Sequence, residues 1–150
     1  MQRTLVQSEV MAISRPVPPG LKALAGSGDA IVILAFAVIG RSSHHAQDGG
    51  EILGVLGTAT PFLIGWFLSA LAGGAYRDRA FAGQRSSAFT TAGCWLAGCV
   101  IGCGLRSAIE RHVTPLSFVA VALLFNGLFL TTWRTLLVAI VTRRYAQPET

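Results

Sequence analysis

At 150 residues the chain has the length of a single domain. Hydrophobic residues make up 52% of it and charged residues 13%, against about 25% charged in an ordinary soluble protein, and the mean hydropathy is +0.57. The net charge of +5 would suggest nucleic acid in a soluble chain. Here Lys and Arg sit at the ends of apolar runs, as in membrane proteins, so nucleic acid is not an expected partner.

Residues 1–20 lack the apolar core of a signal peptide, and SRPVPPG predicts a disordered or extended tail. Met11 offers an alternative start to the chain. The first span is expected over 21–40. Within it, the eleven uncharged residues from Ala30 to Gly40 rise only about 16 Å as a helix, half a bilayer core. Two versions follow. In one the helix begins near Leu21 and carries Asp29 into the membrane, where a carboxylate needs a partner. In the other Asp29 caps a shorter helix, with Gly26 and Gly28 as loop.

The second span is expected over 54–76, inside twenty-five residues without a charge, Ile52 to Tyr76. Gly57, Pro61, Gly65, Ser69 and Gly73 recur every four residues, a row that lets a neighbouring helix approach closely. Pro61 lacks an amide hydrogen and is expected to bend or interrupt this helix. The third span, 86–106, carries the pair Gly98 and Gly102, and is expected to pack against the small row of the second. Its cysteines, Cys94, Cys99 and Cys103, match no disulfide or metal framework and read as small packing residues. The fourth span, 115–142, opens at Pro115 and holds Asn126 and Arg134 among apolar residues. Trp133 suits a membrane interface, from which Arg134 can snorkel.

The expected fold is therefore an all-α bundle of four transmembrane helices, followed by a short tail, 145–150. Eight basic residues fall on the side of the N-terminus (Arg3, Arg15, Lys22, Arg77, Arg79, Arg85, Arg143, Arg144) and three on the other (Arg41, Arg106, Arg111). That bias places both termini in the cytoplasm, with lipid as the surroundings of the chain. Gly40-Arg41-Ser42-Ser43 followed by Thr60-Pro61 is echoed by Leu105-Arg106-Ser107 followed by Thr114-Pro115, as if two hairpins shared an ancestor.

An ordered set of residues carries a family resemblance. It comprises Asp29 opening the first span, Gly40, Arg41 and His44 closing it, and Pro61, Gly65 and Trp66 in the second. Leu105 and Arg106 end the third, and Pro115, Ser117, Phe118, Trp133 and Arg134 lie in the fourth. With these the chain resembles a family of small bacterial membrane proteins known as domain of unknown function 3054. The resemblance implies the membrane architecture and marks residues to test; it implies no activity.

Two polar clusters are expected. At the outer end lie Arg41, His44, His45, Arg106, Glu110, Arg111 and His112, where two guanidinium groups suit an anionic headgroup or carboxylate. The alternative is a set of snorkelling anchors around polar loops. A metal on His44, His45 and His112 with Asp48 or Glu51 fits no familiar ligand order, and none is expected. Inside the membrane the expected pair is Asp29 with Arg134, roughly 16 and 27 Å inward from the outer helix ends, a gap that tilt and a long side chain close.

No G-x-S-x-G, H-E-x-x-H or phosphate-binding loop occurs, so no enzyme and no cofactor are expected. The leading expectation is a non-enzymatic role in helix packing, assembly or lipid binding, alone as an oligomer or with another membrane protein. Its rival is a small proton- or ion-coupled carrier using Asp29 and Arg134. A quinone or pigment site at His44 and Trp66 is a third possibility.

Overall fold

The computed structural model describes residues 16–42 and 51–145. Four long apolar stretches dominate it, and in hydrocarbon a helix satisfies the backbone of such a stretch within the stretch itself. They form α1 (Pro19–Ser42), α2 (Glu51–Gly73), α3 (Gln84–Glu110) and a fourth span. That span comprises α4 (Leu116–Val121), a π-helical turn (Ala122–Asn126) and α5 (Gly127–Tyr145). A short 3-10 helix, Asp78–Phe81, joins α2 to α3, and there is no strand among the described residues. All four spans have the length and apolarity to cross a membrane. The chain is a multi-pass membrane protein with an all-α bundle.

The closest packing is between α2 and α3; α3 then lies against α5, and α1 leans on both α2 and α5. Glycines decide the first contact. A Cβ added at Gly65 would overlap the Gly98 carbonyl oxygen, and one at Gly102 would come within 2.7 Å of Phe62. Cys94 fills the space beside Gly73, its Sγ lying 2.5 Å from where a methyl group on that glycine would stand, as a small packing residue should. Gly57 departs from the expected row, since nothing lies within 4 Å of its would-be Cβ. The part of the row that meets α3 runs through Gly65, Ser69 and Gly73.

Pro61 neither interrupts α2 nor ends it; the helix is continuous through that position. It stops earlier than expected, at Gly73, where Gly74 takes φ +77° and the Ala75 amide donates back to the Ala70 carbonyl at 2.8 Å. This left-handed glycine cap turns the chain back over the helix end. At the other side α3 runs a turn past the expected boundary and ends at Arg111, with φ 56°. Thr114 closes the next turn through the Ser107 hydroxyl (2.8 Å) and the Cys103 carbonyl (3.3 Å). Pro115 caps α4 from just outside it. Pro19 and Gly20, expected in the tail, already belong to α1, and residues 1–15 lie outside the described residues.

Candidate functional site: a sealed carboxylate–guanidinium centre

The inward row of α1 is Ala25, Asp29, Ile33 and Ala37, four residues apart and all buried. Asp29 therefore stands in mid-helix with 0% exposure, and the shorter helix capped by Asp29 is not formed. On α5 the corresponding row is Leu130, Arg134 and Val138, with Arg134 at 1% exposure. Arg134 does not snorkel toward an interface; it points into the bundle.

The two meet side-on. Arg134 Nε donates to Asp29 Oδ1 at 2.9 Å, and Nη2 to Oδ2 at 2.6 Å. This bidentate fork is the strongest geometry available to such a pair. Oδ2 also accepts from the Tyr76 hydroxyl at 2.7 Å and the Trp66 indole at 3.2 Å. The remaining terminal nitrogen of Arg134, Nη1, donates to the Ala75 carbonyl at 2.9 Å. Aromatic faces enclose the cation, with Tyr76 at 4.5 Å, Phe81 at 5.8 Å and Trp66 at 5.9 Å from the guanidinium carbon. Removing two ions from water costs several kcal/mol each, and only such complete pairing offsets it.

Trp66, Tyr76 and Ala75 are the partners that reasoning from sequence missed. Depth alone points to Trp66: it lies two turns inside the end of α2, while Asp29 lies nearly three turns inside the adjacent end of α1. Tyr76 and the Ala75 carbonyl carry no such signal, because the Gly74 turn aims them. Tyr76→Phe is expected to keep the ring over Arg134 while deleting one bond to Asp29. The loss should be about 1–3 kcal/mol, read as a lowered unfolding midpoint in detergent.

Two glycines make room around this centre. A Cβ at Gly28 would overlap the Trp133 ring, so Trp133 packs across α1 rather than serving only as an interface anchor. A Cβ at Gly127 would come within 2.7 Å of Trp95, whose indole donates to the Leu123 carbonyl in the π-helical turn at 3.1 Å. Asn126, in the same turn, is buried with its Oδ1 unpartnered.

Nearer the tail, Lys22 pairs with Asp78 at 2.8 Å, and the Val17 amide donates to the same oxygen. The Lys22 ammonium first, then that amide, hold the Asp78 carboxyl below its ordinary range. Its contribution is thus present above the usual carboxylate pKa and fades as pH falls below it.

At the opposite end, Arg41 lies in the last turn of α1 and Arg106 one turn before the end of α3, while His44, His45 and Asp48 lie outside the described residues, as does the side chain of Glu51. Arg106 pairs with Glu110 at 2.7 Å and sits 4.7 Å above the Phe118 ring. His112 approaches the other Glu110 oxygen at 3.5 Å.

A bundle of four apolar spans folded around a buried, fully paired Asp–Arg centre defines the class: a polytopic α-helical membrane protein. Residues 27–137 match the family described as Protein of unknown function (DUF3054). They make up most of the chain, so the protein belongs to that family. The matched stretch contains Asp29, Trp66, Tyr76 and Arg134, the residues that meet in the centre. No curated protein and no solved structure matches the chain.

Proposed function

We propose that this protein is a non-enzymatic component of the bacterial cytoplasmic membrane, with both termini inside, acting as a packing or assembly partner for another membrane chain or a second copy. The observation that carries this reading is the saturation of the centre. Asp29 accepts four hydrogen bonds from its own bundle, and the Nε, Nη1 and Nη2 of Arg134 are all engaged. A carboxylate so held has its charge balanced within the chain and does not need a travelling proton to be stable. The groove of about 710 Å³ between α2 and α3 supports the same reading. Its polar side chains are the small Ser69, Thr90 and Cys94.

A second reading, a proton- or ion-coupled carrier, is favoured by one feature of the fourth span. The π-helical turn at Ala122–Asn126, with the buried unpartnered Asn126 oxygen, lies two turns from Arg134, and such turns concentrate at functional sites. Proteoliposomes separate the two. The assembly reading expects no pH- or ion-driven flux, together with a membrane partner or second copy retained in native mass spectrometry. Flux that is lost in Asp29→Asn would replace it with the carrier.

A further inference from the structure

We infer that the Arg41 end of the bundle holds a phosphate-class oxyanion between the guanidinium groups of Arg41 and Arg106. The inference goes beyond the assembly reading and does not depend on it. Three donors, Arg41 Nε and Arg106 Nε and Nη1, are buried and have no acceptor among the described residues. A buried charged donor without a partner is costly, more so than a neutral one. Unfilled donors on two arginines at the same end of the bundle point to an acceptor that comes from outside the chain.

Helix register brings the two together. Gly98, Gly102 and Arg106 form one row on α3, four residues apart. Gly98 meets Gly65 of α2 and Gly102 meets Phe62. The antiparallel continuation of that row sets Arg106 beside the turn of α2 that holds Thr58, one turn from Gly54. Gly54 lies eleven residues, three full turns, before Gly65 and so on the same face of α2. The Arg41 guanidinium rests against Gly54, where a Cβ would overlap it. Arg41 is thus held against α2 by the glycine, and Arg106 lies at the same end of the bundle between Phe118 and Glu110.

The charges around the seam favour an anion. Among the described side chains, two arginines share this end with one carboxylate, Glu110, which bonds a single nitrogen of Arg106; His112 and the exposed Arg111 add no acid. A tetrahedral oxyanion accepts from two forks at once, as guanidinium pairs provide and ammonium groups do not. The site also lies at the ends of membrane-spanning helices, the depth of lipid phosphates. A lipid phosphodiester and free phosphate share this chemistry.

The full chain, purified in mild detergent, is titrated with short-chain phosphatidylglycerol, with inorganic phosphate, and with diacylglycerol as the phosphate-free control. Unfolding midpoint and native mass spectrometry are the readouts. A saturable rise with phosphatidylglycerol alone, with lipid retained, assigns a headgroup; a saturable rise with inorganic phosphate alone assigns a soluble ligand. In either case Arg41→Gln and Arg106→Gln should weaken binding roughly tenfold or more. Arg85→Gln, exposed at the far end of α3, should leave it unchanged. Arg41→Lys, which keeps the charge and loses the fork, should also bind more weakly and guards against a glutamine variant that fails to fold. No shift of the wild type by either phosphate, or a shift equal in all variants or matched by diacylglycerol, overturns the proposal.

Discussion

Asp29→Asn and Arg134→Gln are each expected to destabilise the bundle by about 3–5 kcal/mol, because either change leaves the opposite charge buried without its counter-ion. The double variant should lose far less than the sum. With both ions gone the remaining amides still find Trp66, Tyr76 and the Ala75 carbonyl, and no charge is stranded in the low-dielectric interior. The measurement is a double-mutant cycle of denaturation midpoints in bicelles or detergent. Losses that simply add would mean that the two side chains do not act on each other, and the reading of a sealed centre would fall with them.

Gly65→Ala is expected to be the most damaging one-methyl change in the α2–α3 seam. The added carbon would meet backbone, the Gly98 carbonyl, and backbone cannot swing aside as a flexible side chain does. Overpacking of this kind costs about 1–3 kcal/mol, and the upper part of that range applies where two helix axes must separate. Gly57→Ala, eight residues earlier in the same row, meets nothing within 4 Å. It should be neutral or stabilise by up to about 1 kcal/mol through the lower backbone entropy of alanine. Comparing the two unfolding midpoints isolates the contact from helix propensity. Equal effects would show that the seam tolerates a wider separation than its geometry indicates.

The geometry of the centre bears on the role proposed for it. An ion pair enclosed by Trp66, Tyr76 and Phe81 is worth little as net stability over a well-packed apolar core of equal volume. What it provides is register, since α1 and α5 can satisfy both charges in one relative position only. A component that must present a fixed outer surface to another chain benefits from such a lock. A carrier would instead need to open it in every cycle.

Much of the architecture is legible in the amino-acid sequence alone. The apolar runs dictate helices, because runs of about twenty residues fit a span that satisfies its backbone within itself, and the basic residues at their ends set the expected orientation. Asp29 and Arg134 stand out as the ions lying within otherwise apolar spans, and elementary electrostatics requires each to have a partner. Gly65, Gly98 and Gly102 signal a close helix contact through their size alone. Sequence leaves open where α1 begins and how deep Asp29 lies, and only burial of the row Ala25, Asp29, Ile33 and Ala37 decides it. It misplaces Gly57, which lies outside the part of the row that meets α3. It holds no hint that Tyr76 and the Ala75 carbonyl would complete the centre. Those groups come after α2, and their direction depends on the left-handed turn at Gly74 packing back over the bundle. Local chemistry names the ions, because charge in an apolar run is a property of the chain itself; the groups that seal them come from α2 and the turn after it, which meet α1 and α5 only in three dimensions.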